Sequence, residues 1–113
     1  MNFKIIAVDF DGTLCENKYP DIGEANEEVI DYILDEQDNG AKIILWTCRA
    51  GKRLKEAIRW CEEQGLYFDA VNNNIREAVK MFGKNTRKIF AHEYIDDRAS
   101  KKFKLPYKSK RRK

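Results

Sequence analysis

Two carboxylates one residue apart, Asp9 and Asp11, stand at the end of the apolar run 3–8 and directly before Gly12. In an extended segment residues i and i+2 point the same way, so both side chains would project from the end of one strand. Such a pair can hold a divalent cation and a nucleophile together. A second acidic pair, Asp96 and Asp97, follows Tyr94 and Ile95, and a hydroxyl, Thr47, closes the apolar run 43–46. Oxygen donors of this kind suit a hard divalent cation.

These residues depend on the elements that carry them. The run 3–8, broken only by Lys4, is short and largely aliphatic, and reads as a buried strand that Gly12 ends. Residues 15–23 hold Pro20 and Gly23 without apolar periodicity, which predicts a loop or short flap beside the site. Residues 24–38 place Ala25, Val29, Ile30, Ile33 and Leu34 on one helical face and stop at Asn39-Gly40. A strand over 42–46 and a helix over 52–64, apolar at Leu54, Ala57, Ile58 and Cys61, complete a second unit. A strand over 67–71, a helix over 75–82 closed by Gly83, and a strand over 88–95 then lead into the second acidic pair. This alternation predicts an α/β three-layer sandwich with a central parallel sheet and helices on both faces. Every candidate residue so far falls at the carboxyl end of a strand, where open α/β sheets bind ligands.

The string Asp9-Phe10-Asp11-Gly12-Thr13-Leu14 resembles the first signature of the haloacid dehalogenase (HAD) superfamily of phosphohydrolases without a mismatch. Thr47 matches the family's second motif, and Tyr94-Ile95-Asp96-Asp97 its fourth, in the family's order and across residues 3–99. The last motif, continued by Arg98 and Ala99, is most similar to that of small members. The resemblance implies a HAD-like Rossmannoid fold and a magnesium-dependent phosphomonoesterase working through an aspartyl-phosphate. It implies Asp9 as nucleophile and Asp11 as general acid and then base, with the Asp11 carbonyl on the metal. It also implies Asp97 as the acidic metal ligand, supported by Asp96. Thr47 would bind the phosphoryl oxygens, helped by the backbone amides of Cys48 and Arg49 at the start of the next helix. An all-oxygen site of this kind suits Mg2+. Lys88, eight positions before Asp96, occupies the place of the family's third-motif cation. Ile89 follows it where small members usually have Pro, and Arg76, Lys80, Lys84 and Arg87 are alternatives. Neither 15–23 nor 48–87 has room for a cap domain, so the resemblance points to the capless class.

Competing chemistries fit less well. A cysteine phosphatase built on Cys48 needs an arginine six residues on, where Leu54 stands. A response-regulator phosphoacceptor has its acidic pair after the first strand and its acceptor aspartate after the third, the reverse of this order. A non-catalytic relative that binds phosphate or metal would not need Asp9, Asp11, Thr47 and Asp97 together. His92, the single histidine, reads as a packed or edge residue, and Trp46 and Trp60 as packing. Asn72, Asn73 and Asn74 mark a strand-to-helix turn and a helix cap, with the substrate opening as a further place for them.

The 113 residues suffice for one domain, and 36% charged against 42% apolar residues describe a well-solvated globule. No segment reaches the roughly 18 apolar residues of a membrane span, and the amino terminus lacks a signal peptide's pattern, so the expectation is a cytoplasmic protein. Cys15, Cys48 and Cys61 are odd in number and lack CxxC spacing, which argues for reduced thiols rather than disulfides or zinc. The net charge of +3 is uneven: residues 101–113 hold eight Lys or Arg and no acid. Charge sets off a basic tail, 101–113, that reads as solvated, and the resemblance implies that 1–100 is a HAD-like phosphatase core. Within the tail Phe103, Leu105 and Tyr107 are apolar enough to pack on the domain. A small phosphorylated metabolite is the favoured substrate. The basic tail, and the likeness of Ile95-Asp96-Asp97-Arg98 to the phosphatase domain of bacteriophage polynucleotide kinase, make a nucleic-acid 3′-phosphate the alternative.

Overall fold

In the computed structural model of the protein, residues 2–97 and 102–109 are described. Arg98 and Ala99 of the last motif, the core–tail boundary at residue 100, and residues 110–113 of the tail lie outside them. The first strand, β1 (Ile5–Asp9), is buried at every position but the last. The cause is cover on both sides. On one side Ile6 and Val8, with Ile43 and Leu45 of the neighbouring strand, pack on Val29, Ile30 and Ile33 of α1 (Glu27–Asp38) and on Ala57 and Cys61 of α2 (Gly51–Glu63). On the other, Ile5, Ala7 and Ile44 pack on Ile75 and on Ala78 of α3 (Arg76–Phe82). Each fully buried aliphatic side chain contributes about 1.5–3 kcal/mol, and the strand period of two divides them between the layers.

Among the described residues four strands form the parallel sheet. With β4 (Lys42–Trp46), β5 (Ala70–Val71) and β6 (Glu93–Ile95), their order is β5-β4-β1-β6. The chain starts at the centre and runs outward through α1 to β4 and through α2 to β5 on one face. It then returns through α3 on the opposite face to reach β6 on the far side of β1. That reversal opens a crevice beside the end of β1, the usual ligand position of a doubly wound sheet.

Four segments depart from expectation. The predicted loop 15–23 is an antiparallel hairpin, β2 (Cys15–Lys18) and β3 (Asp21–Ala25), with an irregular register between Cys15 and Asn17. It lacks a readable apolar pattern because the ribbon is only partly buried. Gly23 is required there, since a Cβ would lie 2.2 Å from the Glu16 carbonyl oxygen. Helix α1 starts later than residue 24 because β3 claims residues up to Ala25. Strand β5 is short because the Asp69 carboxylate, at 2.8 Å, takes the Ile43 N–H that a strand carbonyl would otherwise accept. Strand β6 begins only at Glu93. Upstream, the His92 imidazole Nδ1 accepts the Ile5 N–H at 2.9 Å, and the buried Asn74 side chain binds the Thr86 carbonyl and the Phe90 N–H. Among the described residues no helix is long and apolar enough to cross a membrane.

Candidate active site at the carboxyl ends of the sheet

Strand register assembles the site. Asp9 pairs with Trp46, so Thr47 follows immediately on the neighbouring strand. Val8 pairs with Ile95, which sets Asp96 opposite Asp9 and Asp97 one residue beyond. Leu45 pairs with Val71, bringing Asn72 alongside. The ends of β5, β4, β1 and β6 thus present Asn72, Thr47, Asp9 and Asp96-Asp97 in a row.

The turn after β1 is held tightly. The Thr13 and Leu14 amides donate to the Phe10 carbonyl at 3.1 and 2.9 Å, and the Gly12 amide donates to the Cys15 carbonyl at 2.9 Å. Gly12 has φ +87°, a conformation that favours glycine. A Cβ there would also meet Asp97 Oδ2 at 3.2 Å, so the Asp97 carboxylate rests directly on the turn. The half-buried Asp9 side chain accepts the Phe10 N–H at 2.8 Å. Burial pushes its carboxyl up to about 6, against the pull of the Phe10 amide, and the nearby charges of Asp97, Asp96 and Asp11 add to the rise.

Arg49 is the most enclosed charge in the site, its side chain only 1% exposed. Its Nε and Nη2 donate to the two Asp11 oxygens, each at 2.8 Å, in a bidentate fork. Further donation reaches the carbonyls of Asp21 at 2.8 Å and Pro20 at 3.2 Å in the hairpin. The guanidinium lies near the rings of Phe10 and Tyr19, at 4.9 and 5.0 Å from their centroids. One side chain therefore ties the β1 turn, the β4 loop and the hairpin together. From sequence Arg49 is a candidate for its backbone amide alone; that amide donates to the Thr47 hydroxyl oxygen at 3.1 Å. The Thr47 hydroxyl keeps its own proton to donate. Asn72, at φ 52°, fixes the Thr47 backbone from both sides: its side-chain oxygen accepts the Thr47 N–H at 2.7 Å and its amide donates to the Thr47 carbonyl at 2.8 Å.

A cleft of about 400 Å³ opens over these groups, lined by Asp9, Asp11, Asn17, Tyr19, Thr47, Cys48 and Arg49. Asn17 and Tyr19 come from the hairpin and carry no local signal in the sequence, since their role depends on how the ribbon folds back. Cys48 and most of the Tyr19 ring are exposed. The other thiols are buried away from chemistry, with Cys15 pushed up to about 12 by burial and Cys61 raised for the same reason. Lys88 sits in the segment before β6, exposed and outside the cleft lining, where its carbonyl accepts the Thr86 hydroxyl at 2.8 Å. Arg76, Lys80, Lys84 and Arg87 are likewise exposed and outside the lining.

Among the described residues no three His, Cys, Asp or Glu side chains form a group that could hold a metal by themselves. Magnesium takes fewer protein ligands than that, often one or two carboxylates with several waters. The Asp9 carboxylate, the Asp97 carboxylate that rests on the turn and the Asp11 carbonyl would offer a hard oxygen donor set of that size, with Asp96 and Asp97 standing outside the cleft lining itself. Burial, with the acidic neighbours adding to it, disfavours the charged form of Asp9, and a cation there would relieve this.

A four-stranded parallel sheet between helices, with acidic loops gathered at its carboxyl ends, defines a Rossmann-like α/β protein. A conserved protein coded by a locus from Bacteroides thetaiotaomicron, known from a solved structure, is 42% identical to the chain and superposes with a TM-score of 0.73. The match covers 86% of this chain and 78% of that one, and the chain belongs to that protein's family. No protein-family model matches the chain, and no curated protein does.

Proposed function

We propose that the protein is a capless HAD-type phosphohydrolase that cleaves a small phosphate monoester with magnesium. The observation that carries the reading is the convergence of Asp9, Asp11 and Thr47 on one cleft, with Asp97 packed against the same turn. Bound magnesium would supply charge neutralisation at the phosphoryl oxygens, held by Asp9, Asp97 and the Asp11 carbonyl, with Asp96 beside them.

The rest falls to the chain's own groups. Asp9 attacks phosphorus and the bond to the leaving oxygen breaks, while Asp11 gives that oxygen a proton. Asp11 then takes a proton from the water that attacks the aspartyl-phosphate, releasing inorganic phosphate and free Asp9. The Thr47 hydroxyl donates to a phosphoryl oxygen. Both Asp11 oxygens accept from Arg49 in the resting site, so in the first half-reaction the carboxyl must leave one of these donors and turn toward the leaving oxygen carrying a proton taken from solvent; having given that proton up, it can accept the one from the attacking water. Charge in the cleft favours a small substrate over a nucleic-acid end. Arg49 is the single cationic residue in the lining, and its fork is already committed to Asp11, so little is left to hold a polyanionic backbone. Hydrolysis of p-nitrophenyl phosphate and of small alkyl phosphates with magnesium, abolished by chelator, tests the reading. Absence of turnover with both ester types at saturating magnesium would refute it. Asp11→Asn should slow the alkyl esters far more than p-nitrophenyl phosphate, whose leaving group departs without a proton.

A further inference from the structure

The basic carboxyl-terminal segment is fastened to the candidate site. Phe103 is buried in the main core and meets the Tyr32 ring edge-on, with centroids 5.4 Å apart. Lys102 Nζ donates to the Tyr32 hydroxyl oxygen at 2.8 Å and pairs with Glu93 Oε2 at 3.1 Å, which ties the segment to α1 and β6. Leu105 packs against the same core. The chain then crosses the turn after β1. The Tyr107 N–H donates to the Gly12 carbonyl at 2.6 Å, and Pro106 Cβ lies 3.5 Å from where a Gly12 Cβ would stand. Tyr107 also lies near the acidic residues Glu24, Glu16 and Glu27 of the hairpin and α1, so this basic segment runs over acidic surface.

We propose that residues 102–109 are a strap that positions the turn carrying Asp9 and Asp11, with the Tyr107 backbone amide and the Phe103 side chain as its positioning groups. The turn's own hydrogen bonds employ the amides of Gly12, Thr13 and Leu14, and none of these amides donates to the Gly12 carbonyl. Among the described residues the backbone donor to that carbonyl is the Tyr107 amide of the strap. Pro106 and the Asp97 carboxylate both contact the Gly12 position, so the turn is held between the strap and the second acidic loop. Losing the strap frees the turn to drift from Asp97. A solvated tail would not seat an aromatic ring in the core or spend a backbone amide on the catalytic turn. The effect on turnover rests on the proposed phosphatase reading; the effect on the turn does not.

The test compares full-length Tyr107→Pro, which lacks the donating amide, with Tyr107→Ala, which keeps it. Hydrogen exchange is followed at the amides of residues 12–14, and kcat and KM are measured with magnesium and p-nitrophenyl phosphate. Tyr107→Pro should speed exchange in the turn about fivefold to tenfold, the usual effect of one lost hydrogen bond. It should lower kcat by a similar factor while KM holds, and Tyr107→Ala should match the parent protein in both. Phe103→Ala, with Phe103→Leu as the conservative rescue, repeats the comparison at the other anchor if the proline variant does not fold. Parent-like exchange in the turn of Tyr107→Pro or Phe103→Ala would overturn the strap, as would parent-like kcat with faster exchange. A parent protein without turnover would sink the phosphatase reading and leave exchange alone to decide the strap.

Discussion

Asp9 and Arg49 are charged side chains of the cleft whose burial and partners set their behaviour. Asp9 is raised from an ordinary 3.8 to about 6 by burial, opposed by the Phe10 amide and reinforced by its acidic neighbours. A carboxyl that binds its proton more tightly when folded contributes stability that is full below about pH 4 and lost as pH rises through about 6. Measured by thermal unfolding in chelator, Asp9→Asn should therefore gain stability over the parent protein as pH rises across that window, and magnesium should remove the difference. A gain that stays constant with pH would contradict the assigned burial. For Arg49 the fork geometry decides the outcome. Lysine brings a point charge that cannot bind both Asp11 oxygens and two hairpin carbonyls, so Arg49→Lys should lower kcat about 10- to 100-fold. Arg49 is legible in the sequence only for its backbone amide beside Thr47, because its side-chain partner Asp11 lies thirty-eight positions away and nothing local marks the pair.

The elements were legible where hydrophobic burial governs them and obscure where side chains replace backbone partners. Strand β4 ran over its predicted span, and α2 and α3 fell within a residue of theirs at each end, since each buries a periodic apolar face. The hairpin, β5 and the approach to β6 were misread because Gly23, Asp69, His92 and Asn74 settle them through contacts distant in sequence. Truncating the central layer should be costly: Ile44→Ala, at a fully buried position, should destabilise by about 2–5 kcal/mol in denaturant titration. Glu93 joins β6 to α1 and the strap. Burial opposes its charge, but hydrogen bonds from Tyr32, Lys102 and Lys4 outweigh it and hold the carboxyl below its ordinary 4.5. Its stabilisation is thus present above the ordinary carboxylate value and lost as pH falls through the folded one. Glu93→Gln should cost about 1 kcal/mol near neutrality and progressively less in acid.

At the scale of the whole molecule, strand order turns distant motifs into one site. Register sets Asp9 opposite Trp46, with Thr47 the next residue, and beside the Asp96-Asp97 pair that follows Ile95, so the grouping of acidic and hydroxyl donors is legible in the sequence once the parallel sheet is assumed. What lay beyond reading was the third dimension of the surface: the hairpin roof, the Asn72 bracket on Thr47, and the return of residues 102–109 to the turn. The basic tail, which read as solvated, has its described part folded onto the domain because Phe103 finds a place beside Tyr32. The most direct measurement is made on protein quenched in acid during magnesium-dependent turnover of a phosphate monoester. Peptide mapping should place one phosphoryl group on Asp9, with Asp9→Asn neither labelled nor active and Cys48→Ser both labelled and active. Turnover that survives Asp9→Asn and disappears with Cys48→Ser would contradict the account.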